Sequence, residues 1–466
     1  MKRIVAVLMA IFAIAAHGQL ASVTVNPYPS TTVSPTFMGL SHEWVGGGVS
    51  VQNLMGNSAA GVDTIYRQLL ANLTAYGNGP IRIRVGAAEN NTITTPEPVE
   101  PFIELYQYNG AQFTLGDNLR TATLAQAEAI ASSYYTQMPA GSLLGIEVGN
   151  EDDNYYQNNY TTYYARQSQW FAGIRSVTSP TLMFADPACS TFSCWINWNM
   201  PGIMSTNRGV IGLYTTHYYA ANTATPAADY LLQPSSYTEP GLLQFQSSAA
   251  HHMGMKYIVD EMNTNAQDVS SGTAPSSEFQ AALWALQTCF MFASGGIDGV
   301  NIHGNFDPDA TFNMASISMT AGTPNTYSLT IVRPIYYGLL AFQMATANTG
   351  TIYPTNITAG TSSAVSAFDT VDKTGVERMT LVNLDEVNSG NVSVTPNSTY
   401  SSATVCYLTA SSYTNTNGVT LCGQTFDGST NGAIQGTVSY TTITPSGGVY
   451  AIPLAVTQAA IVKFNP

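Results

Sequence analysis

Two glutamates stand at the ends of apolar strands and are spaced to act as a pair. Leu143-Leu144-Gly145-Ile146-Glu147-Val148-Gly149-Asn150-Glu151 runs into the first, and Tyr257-Ile258-Val259-Asp260-Glu261 into the second. Strand and helix patterns alternate between them. In such a chain the C-terminal ends of the strands are where barrel enzymes carry their chemistry. Two facing carboxyls there are the minimum needed to hydrolyse a glycosidic bond, one as proton donor and one as attacking group. Asn150 sets an amide beside Glu151, and Gly149 allows close approach. Glu261 ends a nearly continuous apolar run, where an unpaired carboxylate would be desolvated. Strict alternation puts Asp260 on the other side of that strand. The bland alternatives are a solvated acidic loop, since Asp152 and Asp153 follow Glu151, and a structural ion pair for Glu261. Only 14 Lys and Arg face 28 Asp and Glu, too few to pair most acids.

Further candidates flank the pair. Tyr214-Thr215-Thr216-His217-Tyr218-Tyr219 carries a histidine and two tyrosines to the expected barrel mouth. A phenol there would orient a carboxylate and keep it ionised, and only one parity of the strand faces the site. Glu43 and Trp44 end the first strand and suit sugar binding by hydrogen bonding and stacking. Arg82 and Arg84 share one face of the second strand, and one of them is expected to brace the barrel carboxylates. In His303-Gly304-Asn305 the bare amide of Gly304 could hold an anionic group; a plain turn is the competing reading. Other chemistries find no support. Gly46-Gly47-Gly48 lacks the lysine of a phosphate loop, no Gly-x-Ser-x-Gly elbow is present, and His251-His252 has no third ligand.

The elements that must position these residues follow from periodicity. Seven strands are predicted at Phe37–Trp44, Ile81–Gly86, Leu143–Asn150, Leu182–Asp186, Gly212–Tyr219, Tyr257–Glu261 and Gly299–Gly304, with a weaker one near Phe102–Tyr106. Apolar residues at three- and four-residue spacing predict helices from Thr123, over Tyr163–Val177, Leu242–Met253 and Glu278–Ala293. Eight strand–helix units imply an α/β fold, a (β/α)8 TIM barrel over 35–346. After about Gly350, Thr, Ser, Asn and Gly dominate and short alternating stretches appear. These read as an antiparallel β-sandwich over 347–466, joined by 19–34, whose Ser22–Val25 also alternates.

Lys2 and Arg3, the apolar run Ile4–Ala16 and the small-x-small site Ala16-His17-Gly18 read as a signal peptide over residues 1–18. A secreted or periplasmic location is therefore expected. Export permits disulfides; Cys189 with Cys194, and Cys406 with Cys422, are the pairs within reach, and Cys289 reads as a buried thiol. A net charge of −14 argues against a general basic patch for nucleic acid. It does not exclude an acidic sugar, which a few local groups can hold. No further stretch is apolar enough to span a membrane.

Asn150-Glu151 followed by Glu261 resembles clan A retaining glycoside hydrolases, which place Asn-Glu after the fourth barrel strand and the nucleophile after the seventh. Gly149-Asn150-Glu151, His217-Tyr218-Tyr219, Arg82-Ile83-Arg84-Val85-Gly86 and the C-terminal sandwich resemble glycoside hydrolase family 79, the β-glucuronidase and heparanase-like group. The resemblance implies a β-glucuronide substrate, with Glu151 as acid/base and Glu261 as nucleophile. Asn150 and Glu43 would bind sugar hydroxyls, and His217 and Tyr218, or the neighbour of Tyr218, would support the site. The family holds the sugar carboxylate with backbone amides and a tyrosine after the eighth strand. Gly304 fits that role, Phe306 lacks the hydroxyl, and Tyr327 would substitute for it. No metal or organic cofactor is implied, the partner is a carbohydrate, and a monomer is expected. The same residues leave open a neutral sugar (glucoside, xyloside or arabinoside) and a non-catalytic carbohydrate-binding barrel.

Overall fold

The computed structural model describes residues 18–156, 159–194, 200–234, 237, 240–267, 275–307 and 310–466. The expected signal peptide falls almost wholly on residues 1–17, outside the described residues. Eight parallel strands close into a barrel: Met38–Glu43, Arg82–Gly86, Gln112–Asp117, Leu143–Val148, Phe184–Cys189, Ile211–Ala221, Lys256–Asn265 and Gly299–His303. They neighbour one another in chain order, and the eighth closes on the first through Ile302 and Leu40. No helix among the described residues is long and apolar enough to cross a membrane.

One strand lies elsewhere than expected. Phe102–Tyr106 is helical, inside Glu100–Asn109, and the third strand is Gln112–Asp117. The local chemistry explains the correction. Pro101 occupies the first turn, where its missing N–H costs nothing. Gly110 ends the helix in a left-handed conformation (φ 75°), which non-glycine residues rarely adopt.

Two helices, Phe279–Ser294 and Pro334–Ala345, are buried on almost every side. A helix apolar all round must be covered all round, and the carboxyl-terminal sheets supply the cover. Phe290 stacks on Phe368 at 4.7 Å between ring centroids. One sheet of the sandwich orders Thr355–Ala359, Gln19–Val25, Gly390–Thr395 and Tyr450–Leu454. The amino-terminal strand thus enters this sheet, antiparallel to the first of these and parallel to the third. The facing sheet is built on Val365–Val371, Glu377–Asn383, Gln458–Asn465 and Ser402–Thr409. Leu20, Val392 and Ile452 meet Leu381, Val405 and Val462 in the core between them. Both anticipated disulfides are present, and Cys289 is a buried thiol.

Candidate active site

The site begins with Arg84, fully buried on the second barrel strand. Its Nε and Nη2 hold Glu147 at 2.7–3.0 Å, and Nη1 donates to Glu261 at 2.7 Å. Nη2 also donates to Asn150 Oδ1 at 2.6 Å. A guanidinium has donors only, so the amide oxygen of Asn150 must face it. The Asn150 NH2 is thereby directed away from Arg84. Asn91, on the turn after the second strand, fixes the Asn150 carbonyl from the other side at 3.1 Å.

Glu151 follows two residues after Gly149, whose φ is 91° and whose added Cβ would meet Asp152 Oδ2 at 2.0 Å. Glu151 itself is left-handed (φ 48°), a strained conformation for a non-glycine residue. Its N–H donates to the Ala188 carbonyl at 2.9 Å, which ties the turn to the end of the fifth strand. Asn154 donates to Glu151 Oε2 at 3.1 Å, and His217 Nδ1 lies 3.1 Å from Oε1.

Glu261 is more deeply set. Besides Arg84, the Tyr219 hydroxyl donates to its Oε1 at 2.7 Å, and His217 Nδ1 is 3.8 Å from Oε2. Burial alone would raise its pKa. The charges of His217, His303 and Arg84 and the phenol of Tyr219 overcome that and hold it far below the usual range. It is therefore ionised. One oxygen of Glu151, one of Glu261 and a ring nitrogen of His217 all lie within 4.8 Å of one another.

The sixth and seventh strands explain which side chains converge. Thr216 pairs with Val259, yet His217 pairs with Glu261. Asp260 is the extra residue of a bulge, a device that re-aims side chains beside active sites. It does not point to the outer side of the strand, as alternation predicts. It is buried 3.6 Å from Arg84 Nε and 3.8 Å from His217 Nε2.

Several expected site residues take other parts. His217 is buried with no exposed surface, and its ring lies against the two glutamates. Tyr218 points outward and stacks on Phe192 and Trp284; its neighbour Tyr219 is the phenol at Glu261. Trp44 packs against Tyr134 and Phe102 in the core. The Gly304 amide donates to the Ser41 carbonyl at 2.9 Å, so it is already engaged as a barrel bond and cannot clamp an anion. Tyr327 bonds the Gly61 carbonyl at 3.2 Å, and Phe306 packs on His42 and Tyr66. Glu43 does face the site. It lines a cavity of 180 Å³ with His303, Gly304, Asn305 and Asp307. Burial, then the charges of Glu89 and Glu261, raise its pKa to about 7. Glu147 and Asn91 escaped the sequence reading. The polar doublet Asn90-Asn91 just after an Arg-x-Arg strand was the available signal.

No curated protein matches the sequence. A model described as the Glycosyl hydrolase family 79 C-terminal beta domain matches residues 367–461. Among solved structures, a 4-O-alpha-L-rhamnosyl-beta-D-glucuronidase from Fusarium oxysporum 12S aligns with a TM-score of 0.72 at 19% identity, over 95% of this chain and 100% of that one. A family 51 arabinofuranosidase from Xanthomonas axonopodis pv. citri aligns with a TM-score of 0.64 at 15% identity, over 96% and 100%. An alpha-L-arabinofuranosidase from Thermotoga maritima aligns with a TM-score of 0.66 at 14% identity, over the same shares. At these identities the structural likeness speaks for the fold. The domain match bears out the family resemblance over residues 367–461, and the structural likeness shows that the barrel in front of this domain has the fold of those glycoside hydrolases.

Proposed function

We propose that the protein is a secreted retaining exo-glycosidase that hydrolyses β-glucuronides by double displacement. The observation that carries this reading is the spacing of Glu151 and Glu261, with one oxygen of each within 4.8 Å. Retaining enzymes keep the two carboxyls about 5–5.5 Å apart, whereas inverting enzymes leave roughly 6.5–9.5 Å for a water. Glu261, ionised and held by Arg84 and Tyr219, attacks the anomeric carbon. Glu151 protonates the departing oxygen. Water then gives a proton to Glu151 and displaces Glu261, so the configuration is retained. The Asn150 NH2 and Glu43 are placed to bind sugar hydroxyls. The 180 Å³ cavity beside Glu43 has about the volume of six water molecules, the scale of one terminal ring. Export rests on the amino-terminal sequence, and the division into 35–346 and 19–34 plus 347–466 belongs to the same proposal.

The glucuronide assignment rests on the family 79 match. A neutral sugar is the second reading, and specific observations favour it. Glu43 and Asp307 make the cavity acidic, and the two expected clamp groups, Gly304 and Tyr327, are engaged elsewhere. The test is hydrolysis of 4-nitrophenyl β-glucuronide and β-glucoside by the mature chain, beside Glu151→Gln and Glu261→Gln. Cleavage of the glucuronide, lost in both variants, with the β-anomer appearing first by proton NMR, supports the proposal. Preference for the glucoside moves the substrate and keeps the mechanism. Full activity of Glu261→Gln, or the α-anomer appearing first, removes the mechanism.

A further inference from the structure

His217 occupies a position that neither sugar binding nor core packing explains. Its Nδ1 lies between the two glutamates, 3.1 Å from Glu151 Oε1 and 3.8 Å from Glu261 Oε2. Its Nε2 is buried with no hydrogen-bond partner among the described residues, and so is Asp260 Oδ1, which faces it at 3.8 Å. Buried polar atoms are rarely left orphaned. A small approach between these two would satisfy both, provided Nε2 carries a proton. Nδ1 needs a proton as well, since the ionised Glu261 beside it can only accept. The titratable and charged groups that face the ring are Glu151 beyond the fourth strand, Asp260 and Glu261 on the seventh, Arg84 on the second and His303 on the eighth.

We infer that His217 is a positioning residue whose imidazolium is the counter-charge for both catalytic glutamates in turn. The inference rests on the two-glutamate reading above. In the first step a Glu261 oxygen bonds the anomeric carbon, the bond to the leaving oxygen breaks, and that oxygen takes the proton of Glu151. Glu261 is now a neutral ester and Glu151 an anion. In the second step water bonds the anomeric carbon, its proton returns to Glu151, and the ester bond pair returns to Glu261. One negative charge exists throughout, moving from Glu261 to Glu151 and back. A cation placed between the two is beside that charge in both states, so neither half of the cycle strands it. Desolvation works against a charged ring, but the charge of Glu261 and then the hydrogen bond to Glu151 outweigh it and raise the pKa of His217 to about 9. Asp260 is pushed well above the usual carboxylate range by burial and by Glu147. It therefore keeps its own proton and still offers Oδ1 as an acceptor.

The test is the pH profile of kcat/KM for His217→Asn against the wild type, on whichever of 4-nitrophenyl β-glucuronide and β-glucoside the wild type cleaves. Removing a cation makes both neighbouring carboxyls easier to protonate. The acid limb, set by the group that must be ionised, and the alkaline limb, set by the group that must hold a proton, should both move up. A charge at about 4 Å in surroundings between watery and protein-like shifts each by about one to three pH units. A variant that loses rate with both limbs fixed would mean that His217 is only structural, and the inference falls. A wild type silent on both substrates removes the two-glutamate reading and this inference with it. Nitrogen-15 NMR of the histidine rings, in a His251→Gln background that removes the imidazole facing Asp298, decides the matter if His217→Asn does not fold. Protonation of both ring nitrogens of His217 at pH 7.5 supports the inference, and a neutral ring overturns it.

Discussion

Replacing the Tyr219 hydroxyl isolates one contact of Glu261, the proposed nucleophile. That hydroxyl donates to Glu261 Oε1 at 2.7 Å in a buried setting. Hydrogen bonds to charged groups contribute about 1.5–3 kcal/mol, or about one to two pH units at 1.36 kcal/mol each. Tyr219 is one of four groups that keep Glu261 ionised, with His217, His303 and Arg84. The sign follows from that role. The folded pKa of Glu261 is depressed, the reactive anion is present above it, and losing a donor raises it. In Tyr219→Phe the acid limb of kcat/KM should therefore rise by about one to two units, with the alkaline limb unmoved. The freed oxygen also loses its orientation, so kcat/KM at its optimum should fall by roughly tenfold to a hundredfold. Tyr218→Phe is the control. Its ring stacks on Phe192 and Trp284, away from the glutamates, so its pH limbs should match the wild type. The assay is hydrolysis of an aryl glycoside from pH 2 to pH 9 for all three proteins, with initial rates taken on brief exposure to each pH so that the low acid limb is reached. An acid limb and rate unchanged in Tyr219→Phe, or limbs displaced equally in Tyr218→Phe, would refute the reasoning.

Further outcomes are expected. Glu43→Gln should abolish an inflection near pH 7 in KM, because Glu43 titrates at about 7 and its charge would otherwise face Glu261. The fold should be more stable at pH 5 than at pH 8 in a thermal melt. Burial raises Glu43, Asp63 and Asp186 to about 7, and a carboxyl raised above its unfolded value loses stability as pH rises between the two. A melt that rises steadily from pH 5 to pH 8 would contradict this. Arg84→Met should destabilise by about 3–5 kcal/mol, since it strands Glu147 and Glu261 without their buried partner; a melting temperature equal to the wild type would argue otherwise. Replacing Cys406 and Cys422 by serine opens a link with a sequence separation of 16. It should cost about 2–4 kcal/mol of stability while kcat stays the same, checked by denaturation and turnover side by side.

The chain on its own determined the alternation of strands and helices, the change of texture after Gly350 and the two glutamates at strand ends. These are local properties, set by side-chain period and by short motifs such as Gly149-Asn150-Glu151. The third strand was misread because Phe102–Tyr106 and Gln112–Asp117 both carry short apolar runs, which periodicity cannot separate without the helix end at Gly110. Tertiary structure decided which neighbours share the site. Alternation names one parity per strand, but the bulge at Asp260 turns consecutive residues, Asp260 and Glu261, toward Arg84. That irregularity arises from pairing with the sixth strand, so it leaves no trace in the seventh. Register likewise selected Tyr219 over Tyr218 and committed the Gly304 amide to Ser41. The sequence supplied the reacting groups; the closure of the barrel decided their spacing, their partners and their charge, because each depends on residues far apart in the chain.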